Sequence, residues 1–307
     1  MDQRARVTVV GSFNQDLVVV TPRMPVKGET ILGGQYQTGP GGKGANQAVA
    51  AARLDADVSM VVKLGVDDLG DRAAANLANE GVSTDFVLRT DATHTGVAFI
   101  IVDGDGENMI VVAPGSNTLL SPVDVDAAQA AISHADVLLV QLESPLDTVQ
   151  RALELAREAG VRTILNPAPG QALSPEILRL VDVLTPNETE TEIVSGQPVT
   201  SVAEAEAAAR HLLEQEVGVV VVTLGANGAL IVSETDAVHV PGHQVEVVDT
   251  TGAGDAFNGA LAVALAEGKD FPDAVAFANA CAALQVTKFG TAPAMPYRRE
   301  VEELMAC

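Results

Sequence analysis

Along the chain, short β-branched apolar runs alternate with Ala- and Leu-rich stretches of helical period. Residues 7–10 predict a first buried strand, 45–54 a helix, 58–62 a strand and 68–79 a helix. Ser121-Pro122 pairs a capping residue with a favoured first helical position, so a helix is expected over 123–132. A strand at 137–140, a helix at 146–159 and a strand at 163–165 follow. Val183-Leu184 ends another strand, and 201–214 reads as a helix. The run 217–223 is the most apolar and is expected at the centre of the sheet. A further strand starts at Ala229. Strand and helix in alternation along one chain imply an α/β fold with a largely parallel sheet.

Two regions, 16–37 and 96–113, break the alternation, being strand-like with no helix between. The second reads as a hairpin around Asp103-Gly-Asp-Gly106. Such strands suggest a small sheet standing apart from the core and covering a site as a lid. Its outer apolar face would need a partner, and a second copy of the chain is the simplest. The alternative is an ordinary hairpin packed on the main sheet.

Composition narrows the partners. The 307 residues are 47% hydrophobic, enough for one large core or one core plus a small appendage, and carry a net charge of −23. Nucleic acid and anionic membranes both need a basic footprint, so neither is expected. No apolar run reaches the ~18 residues of a membrane span. The N-terminus runs directly into a strand pattern without the apolar core of a signal peptide, and a cytoplasmic location is expected. Cys281 lies in an apolar helix and Cys307 at the end, a spacing that makes neither a metal site nor a redox pair.

The segment Asp249-Thr-Thr-Gly-Ala-Gly-Asp-Ala-Phe-Asn-Gly-Ala260 carries the strongest chemistry. Gly252, Ala253 and Gly254 enter an apolar helix, where backbone N–H groups and a dipole worth about half a charge can hold an anion. Asp255 in that first turn is a poor choice for merely holding the anion. It makes sense opposite a hydroxyl that attacks the anion, although a Gly-rich turn with an N-terminal Asp is also a common helix start.

Weaker signals lie at other strand ends. Asn14 and Asp16 follow the first strand and suit vicinal hydroxyls. Gly39-Pro-Gly-Gly-Lys-Gly-Ala-Asn46 formally contains the dinucleotide glycine pattern. It does not follow the first strand, however, and it lacks the Ser or Thr of a P-loop. What remains is a backbone that a ligand can approach closely, with Lys43 and Asn46 beside it. Glu143 sits past the strand at 137–140, over a polyol or as a helix cap. Asn187 and Glu190 share one side of a helix turn; they suit either phosphates bridged by Mg²⁺ or a capping box. The loop Thr223-Leu-Gly-Ala-Asn-Gly228 could follow a nucleotide's phosphates or simply turn between strands.

With these motifs in order along it, the chain resembles the ribokinase family of phosphofructokinase-B type sugar kinases. The likeness runs from Gly11–Asp16 and Gly41–Asn46 through Gln141–Ser144, Asn166–Pro169 and Pro186–Glu190 to Asp249–Ala260. It implies a doubly wound α/β fold, helices on both faces of the sheet, a β-sheet lid formed by about 16–37 and 96–113 in one domain over 1–307, and pairing through the lids as a homodimer. It also implies ATP-dependent phosphorylation of D-ribose at O5. Asn14, Asp16, Gly42, Lys43, Asn46 and Glu143 would hold the sugar. Asp255 would be the base, and Gly252, Ala253 and Gly254 would form the anion hole with it. Asn187, Glu190, Thr223, Gly225, Asn227, Gly228, Gly254 and Asn279 would line the region for ATP and Mg²⁺. A K⁺ site would use Asp249 and carbonyls of Thr251, Gln285, Lys288 and Gly290; Ala294 departs from the Ser that the family often has there.

Rival readings remain at this point. A fructokinase or adenosine kinase of the same family is the nearest, although nine aromatic residues offer little for stacking a nucleoside. A non-catalytic sugar or nucleotide sensor is a reading of a different class, and an NAD-dependent dehydrogenase would rest on the 39–44 glycines alone.

Overall fold

A computed structural model describes residues 4–105 and 108–306. In chain order the strands are β1 (Arg6–Val10), β2 (Asn14–Val20), β3 (Tyr36–Gly41), β4 (Asp57–Gly65), β5 (Val87–Thr90), β6 (Val97–Val102), β7 (Asn108–Ala113), β8 (Val137–Val140), β9 (Arg162–Leu165), β10 (Val183–Leu184), β11 (Val219–Thr223), β12 (Ala229–Val232) and β13 (Ala237–Val240). The helices are α1 (Lys43–Arg53), α2 (Asp68–Asn79), α3 (Pro122–Ala127), α4 (Gln129–His134), α5 (Leu146–Glu158), α6 (Pro175–Leu178), α7 (Glu188–Ser195), α8 (Val202–Leu213), α9 (Ala253–Ala266), α10 (Phe271–Gln285) and α11 (Arg298–Met305).

The main sheet has the order β13-β12-β11-β10-β9-β8-β1-β4-β5, and only the β11–β12 and β12–β13 pairings are antiparallel. Period-two alternation feeds both faces. Val137 and Leu139 of β8 enter one apolar cluster with α1, α9 and α10, while Leu138 and Val140 enter the other with α5 and α8. A strand buried on both sides must be apolar throughout, as Val-Leu-Leu-Val is. From β1 the chain builds outward through β4 to β5 and later returns to the other flank at β8. Winding direction therefore reverses between β1 and β8, and a crevice opens beyond their carboxyl ends.

The interrupting strands form a separate four-stranded sheet, β3-β2-β6-β7. Asp16, Val18, Ile100, Val102 and Asn108 on one of its faces line a cleft of about 370 Å³ with Asp249–Thr251 and Phe289–Thr291 of the main domain. The small sheet is thus a lid, not a hairpin on the main sheet. Gly106, at the tip of the expected hairpin, and Cys307 lie outside the described residues. Among those described, no helix is long and apolar enough to cross a membrane.

Several local expectations change. The helix expected over 123–132 is two helices, because Ala128 leaves helical geometry at φ −95, ψ 8. Nothing in the sequence marks the break, since Ala is the best helix former. The most apolar run, β11, is third from the edge rather than central. Its apolarity reports cover on both faces, with Val219 and Val221 in one cluster and Val220 and Val222 in the other. Within 16–37 only the ends are strands; 21–35 carries Pro22, Pro25 and Gly28 and forms none.

Candidate active site

Helix α9 is buried around its circumference between the sheet, α1 and α10, which explains its nearly unbroken apolar composition. Its N-cap is Gly252 at φ +89, a left-handed conformation that costs a side-chain-bearing residue. No side chain caps the helix, so the N–H groups of its first turn are left for an anion. Asp255 in that turn is 6% exposed. Asn46 Nδ2 donates to its Oδ2 at 2.8 Å, and Gln47 Nε2 donates to its Oδ1 at 2.9 Å.

The N-cap of helix α1 is Gly42, also at a positive φ of +89. A Cβ there would meet Asn14 N at 2.5 Å and Phe13 Cα at 2.8 Å, and one on Gly44 would meet Ser12 N at 2.5 Å. The glycines thus let the helix start press against the β1–β2 connection. Pairing of Asn14 with Gly41 and of Asp16 with Gly39 fixes both polar side chains beside this loop. Asn117 Nδ2 donates to Asn14 Oδ1 at 2.9 Å, while the Asn117 amide also bonds both backbone groups of Phe13. Asn14 thereby has its oxygen engaged and keeps its amide hydrogens for a ligand.

Glu143 accepts from Lys43 N at 2.9 Å and from the Ser12 hydroxyl, and no side chain caps α5. It therefore does not cap α5, and it instead receives the first N–H of α1. Thr291 Oγ1 donates to Asp16 Oδ2 at 3.1 Å. Burial, together with the negative charges of Glu143 and Asp255, overcomes that bond and pushes the Asp16 carboxyl up to about 7. Burial opposes the Lys43 charge, but Asp255, Glu143 and Glu190 outweigh it and raise its pKa. Lys43 therefore stays an ammonium ion among three carboxylates, Glu143, Glu190 and Asp255.

The carboxyl ends of β10 and β11 form the adjoining end of the crevice, joined by a bridge between Asn187 and Thr223. Asn187 and Glu190 complete a capping box for α7. Glu190 still feels Lys43 and Asp255; burial, the largest influence, raises its pKa. Gly225 and Gly228 both have positive φ, and a Cβ on Gly228 would lie 2.2 Å from Val240 O. Thr223, Gly225, Asn227 and Gly228 thus form a tight turn against the chain after β13. Asn279 holds that same chain by donating to the carbonyls of Val240 and Pro241 at 3.1 and 3.2 Å.

Beside the α9 N-terminus, Asp249 accepts from the N–H groups of Thr251 and Gly290 at 2.9 and 3.0 Å. Gln285 Nε2 donates to the carbonyls of Thr251 and Gly290 at 2.6 and 2.9 Å, and Gln285 Oε1 is buried without a hydrogen-bond partner. A carboxylate and clustered carbonyls with a second lone pair each form a donor set that fits a monovalent cation. Lys288 points its ammonium away, to Glu300 at 2.7 Å. Among the described residues, no group of three or more His, Cys, Asp or Glu forms a metal cage.

The sugar-side residues expected from sequence therefore converge, as do the two loops beyond them. Sequence reasoning missed Gln47, Asn117, Asn166 and Thr291. Gln47 follows Asn46 directly, and neighbouring helical residues ordinarily diverge; both reach Asp255 because α9 crosses α1 closely.

An acid at the rim of an anion hole can accept the proton of an alcohol while the anion is transferred to it, which is the layout of a small-molecule kinase. The chain belongs to the pfkB family of carbohydrate kinases, whose model matches residues 4–298. It is 43% identical to the ribokinase of Haemophilus influenzae over 98% of this chain and 99% of that one. It is 38% identical to the deoxyribokinase of Salmonella typhi over 98% of each. The solved structure of Arabidopsis thaliana ribokinase complexed with ribose and ATP superposes with a TM-score of 0.94 at 33% identity, covering 99% of this chain and 100% of that one.

Proposed function

We propose that this protein transfers the terminal phosphate of ATP to O5 of D-ribose, giving ribose 5-phosphate and ADP. The observation that carries the reading is Asp255, buried at the mouth of the α9 N-terminus with one amide hydrogen on each oxygen. Each oxygen keeps a lone pair for an alcohol proton. In this reading Asn14, Asp16, Gly42, Lys43, Asn46 and Glu143 hold the sugar. Gly252, Ala253 and Gly254 supply N–H groups to the transferring phosphate. Asn187, Glu190, Thr223, Gly225, Asn227, Gly228 and Asn279 border the nucleotide.

Phosphoryl transfer has a loose transition state with little charge on the attacking oxygen. A weakly basic carboxylate therefore suffices, and positioning contributes most, up to about 7–11 kcal/mol in favourable systems. One lost anion-hole donor costs roughly 3–4 kcal/mol. Carboxylates outnumber Lys43 in the crevice, so the phosphates of ATP fit only with added positive charge. Mg²⁺ carried on the phosphates, with Glu190 as the nearby carboxylate, would supply it. K⁺ held by Asp249 and carbonyls of Thr251, Gln285, Lys288 and Gly290 would supply positive potential beside the anion hole.

Ribose-dependent ADP production is the direct test. Asp255→Asn should fold and lose at least about 100-fold in kcat; near-normal turnover removes the assignment. K⁺ should activate over Na⁺ at matched ionic strength, and equal rates in both salts reject the cation site. The 38% identity to a deoxyribokinase makes 2-deoxy-D-ribose the second sugar to assay. We further infer that two copies associate through their lids and that the enzyme works in the cytoplasm. The bare outer lid face supports the first inference. Fluorescence microscopy of the tagged chain tests the second, which a membrane or exported signal would overturn.

A further inference from the structure

We propose that Gln47 is a positioning residue for the phosphoryl transfer, setting Asp255 without touching either substrate; this rests on Asp255 as the base. Gln47 is fully buried at 0% exposure. The two hydrogens of its Nε2 go to Asp255 Oδ1 at 2.9 Å and Asn166 Oδ1 at 3.1 Å, and its Oε1 accepts from Gln141 Nε2 at 2.5 Å. From Asn166 the chain of bonds continues through Nδ2 to Thr185 O at 3.0 Å. Thr185 Oγ1 donates to Asn258 Oδ1 at 2.5 Å, and Asn258 Nδ2 donates to Gly254 O at 2.8 Å. Gly254 adjoins Asp255, so the ring closes on the first turn of α9.

The sense of every amide in this ring is fixed. Turning Gln47 over would set its oxygen against the Asp255 and Asn166 oxygens and its NH₂ against that of Gln141. The ring ties the ends of β8, β9 and β10 to the anion-hole turn, so the carboxylate is referred to the sheet and not to α9 alone. Holding one carboxylate oxygen this way restricts the side chain to the rotation in which the free lone pairs meet the sugar alcohol. Misplacement by about 1 Å is enough to cost 100-fold.

Gln47→Met keeps the volume and removes all three bonds. The expected result is a kcat for ribose phosphorylation lower by roughly tenfold to hundredfold, with KM for ribose and ATP within about threefold. Turnover is normalised to competent sites counted by calorimetric titration with ADP, so that partial unfolding does not count as lost catalysis. In an Asp255→Asn background the same substitution should cost nothing more, because Gln47 acts only through that carboxylate. An additive loss, or a single-variant kcat within twofold of the parent, overturns the proposal. Ribose-dependent ADP production by the parent protein stands apart as the test of the reaction itself. Should Gln47→Met not fold, Asn166→Leu breaks the ring one residue further from Asp255, with a smaller kcat loss expected and KM again unmoved. An unchanged kcat there overturns the proposal too.

Discussion

At Asp16 the protein keeps a carboxyl group that water would ionise at neutral pH. Burial beside Glu143 and Asp255 pushes it up to about 7, from an ordinary 3.8. The folded sugar-free form thus holds the proton more tightly than the unfolded chain. That contribution to stability is complete below about pH 4 and lost as pH rises through about 7. A sugar hydroxyl donating to the ionised form reverses the preference, so binding should release a proton. The KM for ribose is therefore expected to rise as pH falls below 7, by up to about tenfold per unit, and Asp16→Asn should flatten the dependence. A parent profile flat from pH 5.5 to 8 would show that Asp16 is already ionised. Asp16, Asn14 and Glu143 were legible in the sequence because each follows a strand end, where α/β folds bind ligands. Thr291, which donates to Asp16, was not: it lies 275 residues away and shares no local pattern with it. Asn117 was hidden for the same reason, being one polar residue in a connection until the sheet brings it to the crevice, while Asn166 was legible only as part of the Asn166–Pro169 segment and without a role.

Between residues and the site stand two helices, α1 and α9, whose separation decides whether Asn46 and Gln47 reach Asp255. They cross at Gly259. A Cβ there would lie 2.6 Å from Ala50 Cβ, 2.8 Å from Gln47 O and 3.1 Å from Ala51 N. Ala is favoured over Gly in a helix by about 1 kcal/mol, so Gly259→Ala would stabilise a free helix. Here the opposing atoms are backbone and a stub side chain, which cannot swing aside, and overpacking of about 1–3 kcal/mol wins. Gly259→Ala should lower stability by denaturant titration and lower kcat as well, since separating the helices stretches both bonds to Asp255. A variant that is more stable and fully active would mean the crossing has slack. The helices themselves were legible from their Ala-rich period, and α2 appears with the expected bounds, Asp68–Asn79. Their closest approach was not, because a helical glycine reads as a weakness until the neighbour that requires it is known.

Across the molecule, the α/β core and the lid were both visible as an alternation and two breaks in it, while strand order was not, since apolarity reports cover and not position. The lid leaves an account open. Its inner face, carrying Asp16, Val18, Ile100 and Val102, closes over the cleft. Register places Leu17, Val19, Tyr36, Phe99, Ile101, Met109 and Val111 on the opposite face. Apart from Gln15 and Thr38 that face is apolar, and Tyr36, Met109 and Val111 are 65%, 56% and 66% exposed. A soluble monomer gains nothing from such a surface, whereas two copies laid face to face bury it symmetrically. Because β2 carries Asn14 and Asp16 at its start and outer-face residues further along, dimer contacts would stiffen the strand that holds the sugar. Analytical ultracentrifugation of the parent chain at micromolar concentration should give a dimer. Phe99→Glu with Val111→Glu, which puts two like charges from each copy into the interface, should give monomers with a raised KM for ribose and a smaller change in KM for ATP. A parent protein that sediments as a monomer, or a charged variant that stays dimeric, would show that the lid face is not where the copies meet.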